Sequence, residues 1–248
     1  TLFRSGLWEK YRKFKNKKFN CFKSLTLHSK IVISSTLVLI FGGALLIFLL
    51  EYSNANTIGV YNIFDKIQIS IFQSITTRTA GFATIPQENL TDQSVIICLI
   101  LMFIGGSPVG TAGGIKTITA VSLLAIAITS IRNKKEVVLF NRNLSSEITR
   151  KAVAVTAMSF MIVMISTILL SLTIDRSIVD ILYETVSATA TVGLSRNLTP
   201  FLNSIGKIIV IITMYLGRVG PISLAIAFKS KKESSNIILN PTEEVSIG

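Results

Sequence analysis

Residues 72–82 read Phe-Gln-Ser-Ile-Thr-Thr-Arg-Thr-Ala-Gly-Phe, and this stretch decides the fold. Its pattern Thr77-x-Thr79-x-Gly81 returns 112 residues later as Thr189-x-Thr191-x-Gly193. The same offset carries Met102-Phe103-Ile104-Gly105 onto Met214-Tyr215-Leu216-Gly217. One offset kept by two separated motifs points to an internal duplication, which outranks local signals when a fold is assigned. Each Thr-x-Thr-x-Gly overlaps a short uncharged stretch, 67–77 or 185–195. A bilayer crossing takes about 20 apolar residues, so these stretches cannot span. They fit re-entrant half-helices, allowed at membrane depth only where irregular backbone lines a cavity or is buried in protein.

Longer uncharged runs flank them at 31–50, 93–115, 117–131, 152–174 and, interrupted by Arg218, 208–228. The 248 residues are 50% hydrophobic and only 15% charged, against about a quarter charged in a soluble domain; the mean hydropathy is +0.61. This is the composition of an integral membrane protein. The net charge of +12 does not indicate nucleic-acid binding, because most of the cations lie in separate clusters between apolar runs. Nine of the 25 Lys and Arg fall in 1–30, six in 131–151 and three in 229–232, alternating with apolar runs. The positive-inside rule puts all three clusters in the cytoplasm, facing anionic headgroups. Cys21 and Cys98 form no disulfide framework, and the single His28 excludes a histidine metal cluster. Residues 1–23 have the mix of a juxtamembrane linker rather than a signal peptide, so the chain is expected to begin partway into a longer reading frame.

The expected fold is an all-α integral membrane protein of two membrane–pore-helix–membrane repeats. A cytoplasmic basic linker, 1–30, precedes the first repeat, 31–131. That repeat comprises a membrane helix at 31–50, a pore helix at 63–76, a filter at 77–82 and a broken membrane helix at 93–131 with a loop at 105–117. A cytoplasmic linker, 132–150, leads to the second repeat, 151–228. It comprises a membrane helix at 151–173, a pore helix at 178–189, a filter at 189–194 and a membrane helix at 204–228, followed by a cytoplasmic tail, 229–248.

The two loops suggest ion chemistry. Potassium filters use Thr-Val-Gly-Tyr-Gly, whose backbone carbonyls replace the hydration shell of the ion. Glycine suits such a site because positive φ costs it little. The candidate filter residues are Thr77, Thr79, Ala80 and Gly81 in the first loop and Thr189, Thr191, Val192 and Gly193 in the second. Uncharged oxygen ligands favour a monovalent cation, since calcium and magnesium prefer carboxylates. The competing reading is an ordinary helix-terminating turn in each half. Arg78 and Glu184 flank the filters and are candidates to pair and brace them; Glu51 and Asp65 are read as solvated loop charges that could also enrich cations at an outer mouth.

The glycine-rich stretch supplies the candidate gate residues Gly105, Gly106, Ser107, Gly110, Thr111, Gly113, Gly114 and Lys116. A phosphate loop fails on spacing, because Ile115 separates Gly114 from Lys116. An unwound segment below the filter, as at the broken helices of transporters, and a plain packing kink both remain open. Arg218, 112 residues after Gly106, lies in an otherwise uncharged helix. Such an arginine marks an ion path or a partner. Donation to the freed carbonyls of 105–114, a positive barrier to cations and a snorkelling or structural pairing are the three readings.

Residues 72–82, residues 102–117 (Met-Phe-Ile-Gly-Gly-Ser-Pro-Val-Gly-Thr-Ala-Gly-Gly-Ile-Lys-Thr) and residues 217–221 (Gly-Arg-Val-Gly-Pro) resemble the Trk/Ktr/HKT superfamily of potassium transporters. The similarity is greatest to the bacterial Ktr membrane subunit of KtrB type, and extends to 24–30 (Ser-Leu-Thr-Leu-His-Ser-Lys), 137–140 (Val-Val-Leu-Phe) and 243–248 (Glu-Glu-Val-Ser-Ile-Gly). The resemblance implies four repeats around one pore, of which this sequence matches the third and fourth, with the first two missing. It implies a bacterial plasma-membrane potassium uptake system, a homodimer with one pore per subunit, and a KtrA-like cytosolic RCK-type ring that binds the regulatory nucleotide (ATP, ADP or NAD). It further implies that 105–114 is the gate, faced by Arg218. K+ is then the transported ion, held by filter carbonyls; sodium as an activator is common in such systems, though no residue here signals it. Two other classes compete: a two-repeat cation channel completed by dimerisation, and a membrane enzyme with Ser107 as nucleophile and Lys116 as base.

Overall fold

The structure is a computed structural model and describes residues 25–107, 113–133 and 136–220. Candidate gate residues Gly110 and Thr111, most of the 1–30 linker, the end of the last expected helix and the 229–248 tail lie outside the described residues. The first half contains α1 (Leu27–Glu51), α2 (Ile63–Thr76), a 3₁₀ turn (Gln87–Asn89) and α3 (Asp92–Phe103). After an irregular segment comes α4 (Thr117–Ile131). The second half contains α5 (Ser146–Ser171), α6 (Ile178–Thr189), a 3₁₀ turn (Thr199–Phe201) and α7 (Ser204–Val219). The order of long helix, short helix, 3₁₀ turn and helix thus occurs in both halves.

The starts of these helices are written in local sequence. The side chains of Thr26, Thr91, Ser145, Ser177 and Asn203 accept hydrogen bonds from the first turns of α1, α3, α5, α6 and α7, satisfying amides that have no partner within the helix. The all-α expectation needs one amendment. In the 132–150 segment β1 (Val138–Leu139) pairs antiparallel with β2 (Arg142–Asn143). Phe140 and Asn141, at φ 49° and 60°, form the two-residue turn whose twist suits a hairpin.

Among the described residues, α1 and α5 are long and apolar enough to cross a membrane. Both carry large exposed apolar side chains, including Phe41 and Leu49 on α1 and Phe160 and Ile165 on α5. α1 packs on α2, α3 and α4, and α5 on α4, α6 and α7; the halves also meet where α3 packs on α6. Polar contacts hold the short helices to the long ones. Ser74 Oγ donates to the carbonyls of Leu39 (3.2 Å) and Ile40 (2.9 Å). Thr167 and Thr185 share a 2.8 Å hydroxyl contact, as do Ser166 and Thr213. Small residues and hydroxyls are the usual means of joining helices where solvent supplies no hydrophobic drive. The core runs through the α3–α6 contact, with Val95, Cys98, Met102, Tyr183 and Val186 buried.

Candidate functional site

The two glycine loops leave the C-terminal ends of α2 and α6 with the same backbone pattern. Thr79 and Gly81 have φ of 72° and 76°; Thr191 and Gly193 have 53° and 96°. Ala80 and Val192, between them, stay at negative φ. A threonine in this region is uncommon, and it occurs at corresponding positions of both loops. A run whose φ alternates in sign can present successive carbonyls on one side, which is how a backbone-lined cation site is built.

Each loop is closed by hydrogen bonds back to its helix. Ala80 N and Gly81 N donate to the Thr76 carbonyl, each at 3.1 Å. The Thr76 hydroxyl donates to the Phe82 carbonyl and accepts from the Phe82 amide, both at 2.7 Å. In the second loop Val192 N donates to the Ser187 carbonyl (2.9 Å) and Gly193 N to the Ser187 hydroxyl (3.1 Å). Thr76 and Ser187 were not singled out in the sequence, where a serine or threonine inside an apolar helix carries no signal. Thr77 and Thr189 are buried, and their hydroxyls donate to the Ser74 (3.0 Å) and Thr185 (2.8 Å) carbonyls.

The loops come together. A Cβ on Gly81 would overlap the Val192 carbonyl oxygen, whereas one on Gly193 would meet nothing within 4 Å. The broken helix reaches the second loop: a Cβ on Gly113 would strike the Thr191 hydroxyl and the Ala190 carbonyl. α7 approaches as closely, since a Cβ on Gly217 would overlap the Thr189 carbonyl. Gly217→Ala is therefore expected to push α7 off the second loop and lower the melting temperature of the detergent-solubilised protein. Unchanged melting would show that the two backbones are not in contact.

Around the break, Ile104 and Ile115 form a parallel bridge, Ile115 N donates to the Phe103 carbonyl (3.0 Å) and Thr117 N to that of Gly106 (3.2 Å). Gly105, Gly106 and Ser107 lead into the segment; Gly113, Gly114 (φ 67°) and Lys116 lead out of it, and Lys116 lies within electrostatic reach of Arg218. Arg218 occupies the last turn of α7.

Two expectations change. Arg78 and Glu184 do not pair. Arg78 Nη2 points at the Gly105 carbonyl, 3.5 Å away, linking the first loop to the broken helix. Glu184 instead accepts from the Thr199 hydroxyl through Oε1 (2.5 Å). Its buried Oε2 has no partner among the described residues, and the residue borders a cavity of about 290 Å³, whose lining includes Thr191, Val192, Gly193 and Met214. Glu51 is not a solvated charge at a mouth; it is fully buried. Its Oε1 accepts from Thr91 N (2.9 Å) and Oγ1 (2.8 Å), and Oε2 from Asn54 (2.7 Å) and Thr57 (2.6 Å). Arg196, also unremarked in the sequence, pairs with Asp180 at 2.7 Å and donates to the Glu88 carbonyl (3.2 Å) of the other half.

Residues 3–239 match the family model described as TrkH, cation transport protein. The chain is 41% identical over 216 residues to Ktr system potassium uptake protein B of Bacillus subtilis, covering 87% of this chain and 48% of that protein. It is 35% identical over 227 residues to the protein of the same name from Vibrio alginolyticus, covering 92% and 50%. Its fold resembles the crystal structure of the potassium transporter TrkH from Vibrio parahaemolyticus, with a TM-score of 0.67 and 16% identity, over 79% of this chain and 43% of that one. The chain spans about half the length of the curated relatives it matches.

Proposed function

Because the chain belongs to the TrkH cation transport protein family, we propose that it supplies two pore-lining repeats of a four-repeat potassium uptake protein of the bacterial plasma membrane. The family is one of transport proteins, and the chain is not an enzyme. The single observation that carries the reading is the matched alternation of φ at Thr79–Gly81 and Thr191–Gly193, in loops that meet at Gly81 and Val192. Thr77, Thr79, Ala80, Gly81, Thr189, Thr191, Val192 and Gly193 then offer carbonyl oxygens to dehydrated K+. The segment containing Gly105, Gly106, Ser107, Gly113, Gly114 and Lys116, with Arg218 beside it, controls passage below them; Gly110 and Thr111 belong to the same proposed gate. The relatives' names, potassium uptake protein, support potassium as the ion.

Burial supports further repeats around the same axis. Met102 is fully buried against α6, whereas Met214, 112 residues on, is 50% exposed. Ile211, Ile212 and Tyr215 on α7 are exposed with it. The cavity bordered by Glu184 and Met214 lies on this side. A neighbouring repeat covers this face as the second half covers α3. The proposal extends to the 1–30 and 132–150 linkers and the 229–248 tail on the cytoplasmic side, a homodimer, a cytosolic RCK-type nucleotide-binding ring and sodium as an activating ion.

The test is potassium-limited growth and rubidium uptake in cells lacking their own potassium importers, expressing the complete reading frame with its cytosolic partner. Rescue is expected. Membrane expression without uptake would refute the reading; rescue by this chain alone would favour a two-repeat channel completed by a second copy.

A further inference from the structure

We infer that Tyr183, Gln87 and Gln73 clamp the two halves together and set the spacing of the two glycine loops, making Tyr183 a positioning residue for potassium-over-sodium discrimination. This rests on the potassium-transport reading above. All three side chains are buried, at 0%, 2% and 0% exposure. Gln87 Oε1 accepts from the Tyr183 hydroxyl at 3.0 Å and from Gln73 Nε2 at 2.7 Å. Gln87 Nε2 donates to Gln73 Oε1 at 3.3 Å and to the Ile85 carbonyl at 2.9 Å. Both ends of the Gln87 amide are therefore occupied twice, and a buried polar network satisfied in this way is rigid.

The clamp grips the first loop at both ends. Gln73 lies one turn before it, and its own carbonyl accepts from Thr77 N at 3.2 Å. Ile85, held by Gln87, lies just beyond it. Tyr183 brings in the other half, from six residues before Thr189 on α6. The loops so positioned touch at Gly81 and the Val192 carbonyl. Discrimination between alkali cations depends on the size of the carbonyl cavity or the number and field of its dipoles, and both change when two loops shift apart. The clamp is not a feature of both halves. At the 112-residue offset Tyr183 corresponds to Ile71, Gln73 to Thr185 and Gln87 to Thr199; Thr185 bonds Thr167 and Thr199 bonds Glu184 instead.

The test uses the complete transporter in the importer-deficient cells. Tyr183→Phe keeps the ring and removes only the hydroxyl. Loss of the hydroxyl that ties α6 to Gln87 predicts that the sodium concentration halving rubidium uptake falls severalfold, at unchanged membrane abundance. Gln87→Leu shifts it further in the same direction, and the double variant is no worse than Gln87→Leu alone, because both substitutions break one network. Parental selectivity in Tyr183→Phe, a fall in abundance without a change in selectivity, or additive losses in the double variant would each overturn the clamp while leaving potassium transport intact. A parent that carries no potassium would overturn the functional reading, and the clamp with it.

Discussion

On the proposed potassium-transport reading, Gly81→Ala is expected to abolish selective uptake by the complete protein, and Gly193→Ala to impair it less. At both positions the backbone has positive φ, 76° and 96°, which costs a residue with a Cβ about 1–2 kcal/mol, or roughly tenfold in the population of the native loop. At Gly81 alone there is a second cost. The new methyl would overlap the Val192 carbonyl oxygen and lie 3.1 Å from Val192 C. Backbone cannot rotate aside as a flexible side chain can, so one loop must move as a unit. Val192 is itself held by the hydrogen bond its N–H donates to the Ser187 carbonyl, so the displacement passes into the second loop and disturbs carbonyls of both. Gly193 has nothing within 4 Å of the added carbon and carries only the conformational cost. Rubidium uptake with and without competing sodium, normalised to membrane abundance, distinguishes the two. Equal uptake by Gly81→Ala and the parent would mean that the loops do not touch.

Glu51→Ala is expected to cause the largest loss of stability among single substitutions of a charged residue within the described residues. Four donors converge on this carboxylate: Thr91 N and Oγ1, Asn54 Nδ2 and Thr57 Oγ1. The side chain is fully buried at the end of α1, so alanine strands donors rather than returning them to bulk water. Buried donors left without acceptors cost about 1–3 kcal/mol each, and after relaxation a total of about 3 kcal/mol follows. Glu51→Gln keeps an acceptor on one side and turns an amide toward donors on the other, so its loss should be intermediate. Melting of the detergent-solubilised transporter orders the three: parent, then Gln, then Ala. Unchanged melting in Glu51→Ala would show that the carboxylate is solvated after all. The same residue joins α1 to the start of α3 through Thr91, so Glu51→Ala should also expose backbone amides at 91–94 to faster hydrogen exchange.

Hydropathy and the 112-residue offset are properties of the chain read in order, and they carried the class of the molecule, apolar and mostly helical; the cation transport family came from the resemblance of residues 72–82, 102–117 and 217–221 and from the match over 3–239. The two glycine loops could be named for the same reason, since Thr-x-Thr-x-Gly is a local pattern and positive φ at a glycine is a local preference. The hairpin at 138–143 could have been read from the β-branched Val137–Val138 pair and Asn141, but a two-residue turn within a charged linker is a weak signal. What the sequence misread were groups whose partners lie far along the chain. Glu51 resembled a loop charge because nothing near it announces Thr91, 40 residues on. Arg78 and Glu184 looked complementary by charge, yet each had a nearer oxygen or hydroxyl in the folded protein. Tyr183 and Gln87, 96 residues apart, passed as ordinary members of a half-helix and a loop. The lengths of the uncharged runs, long enough to span or too short to, determined the elements. Which buried donor meets which acceptor depends on how α2, α3 and α6 are packed, and only the tertiary structure decided that.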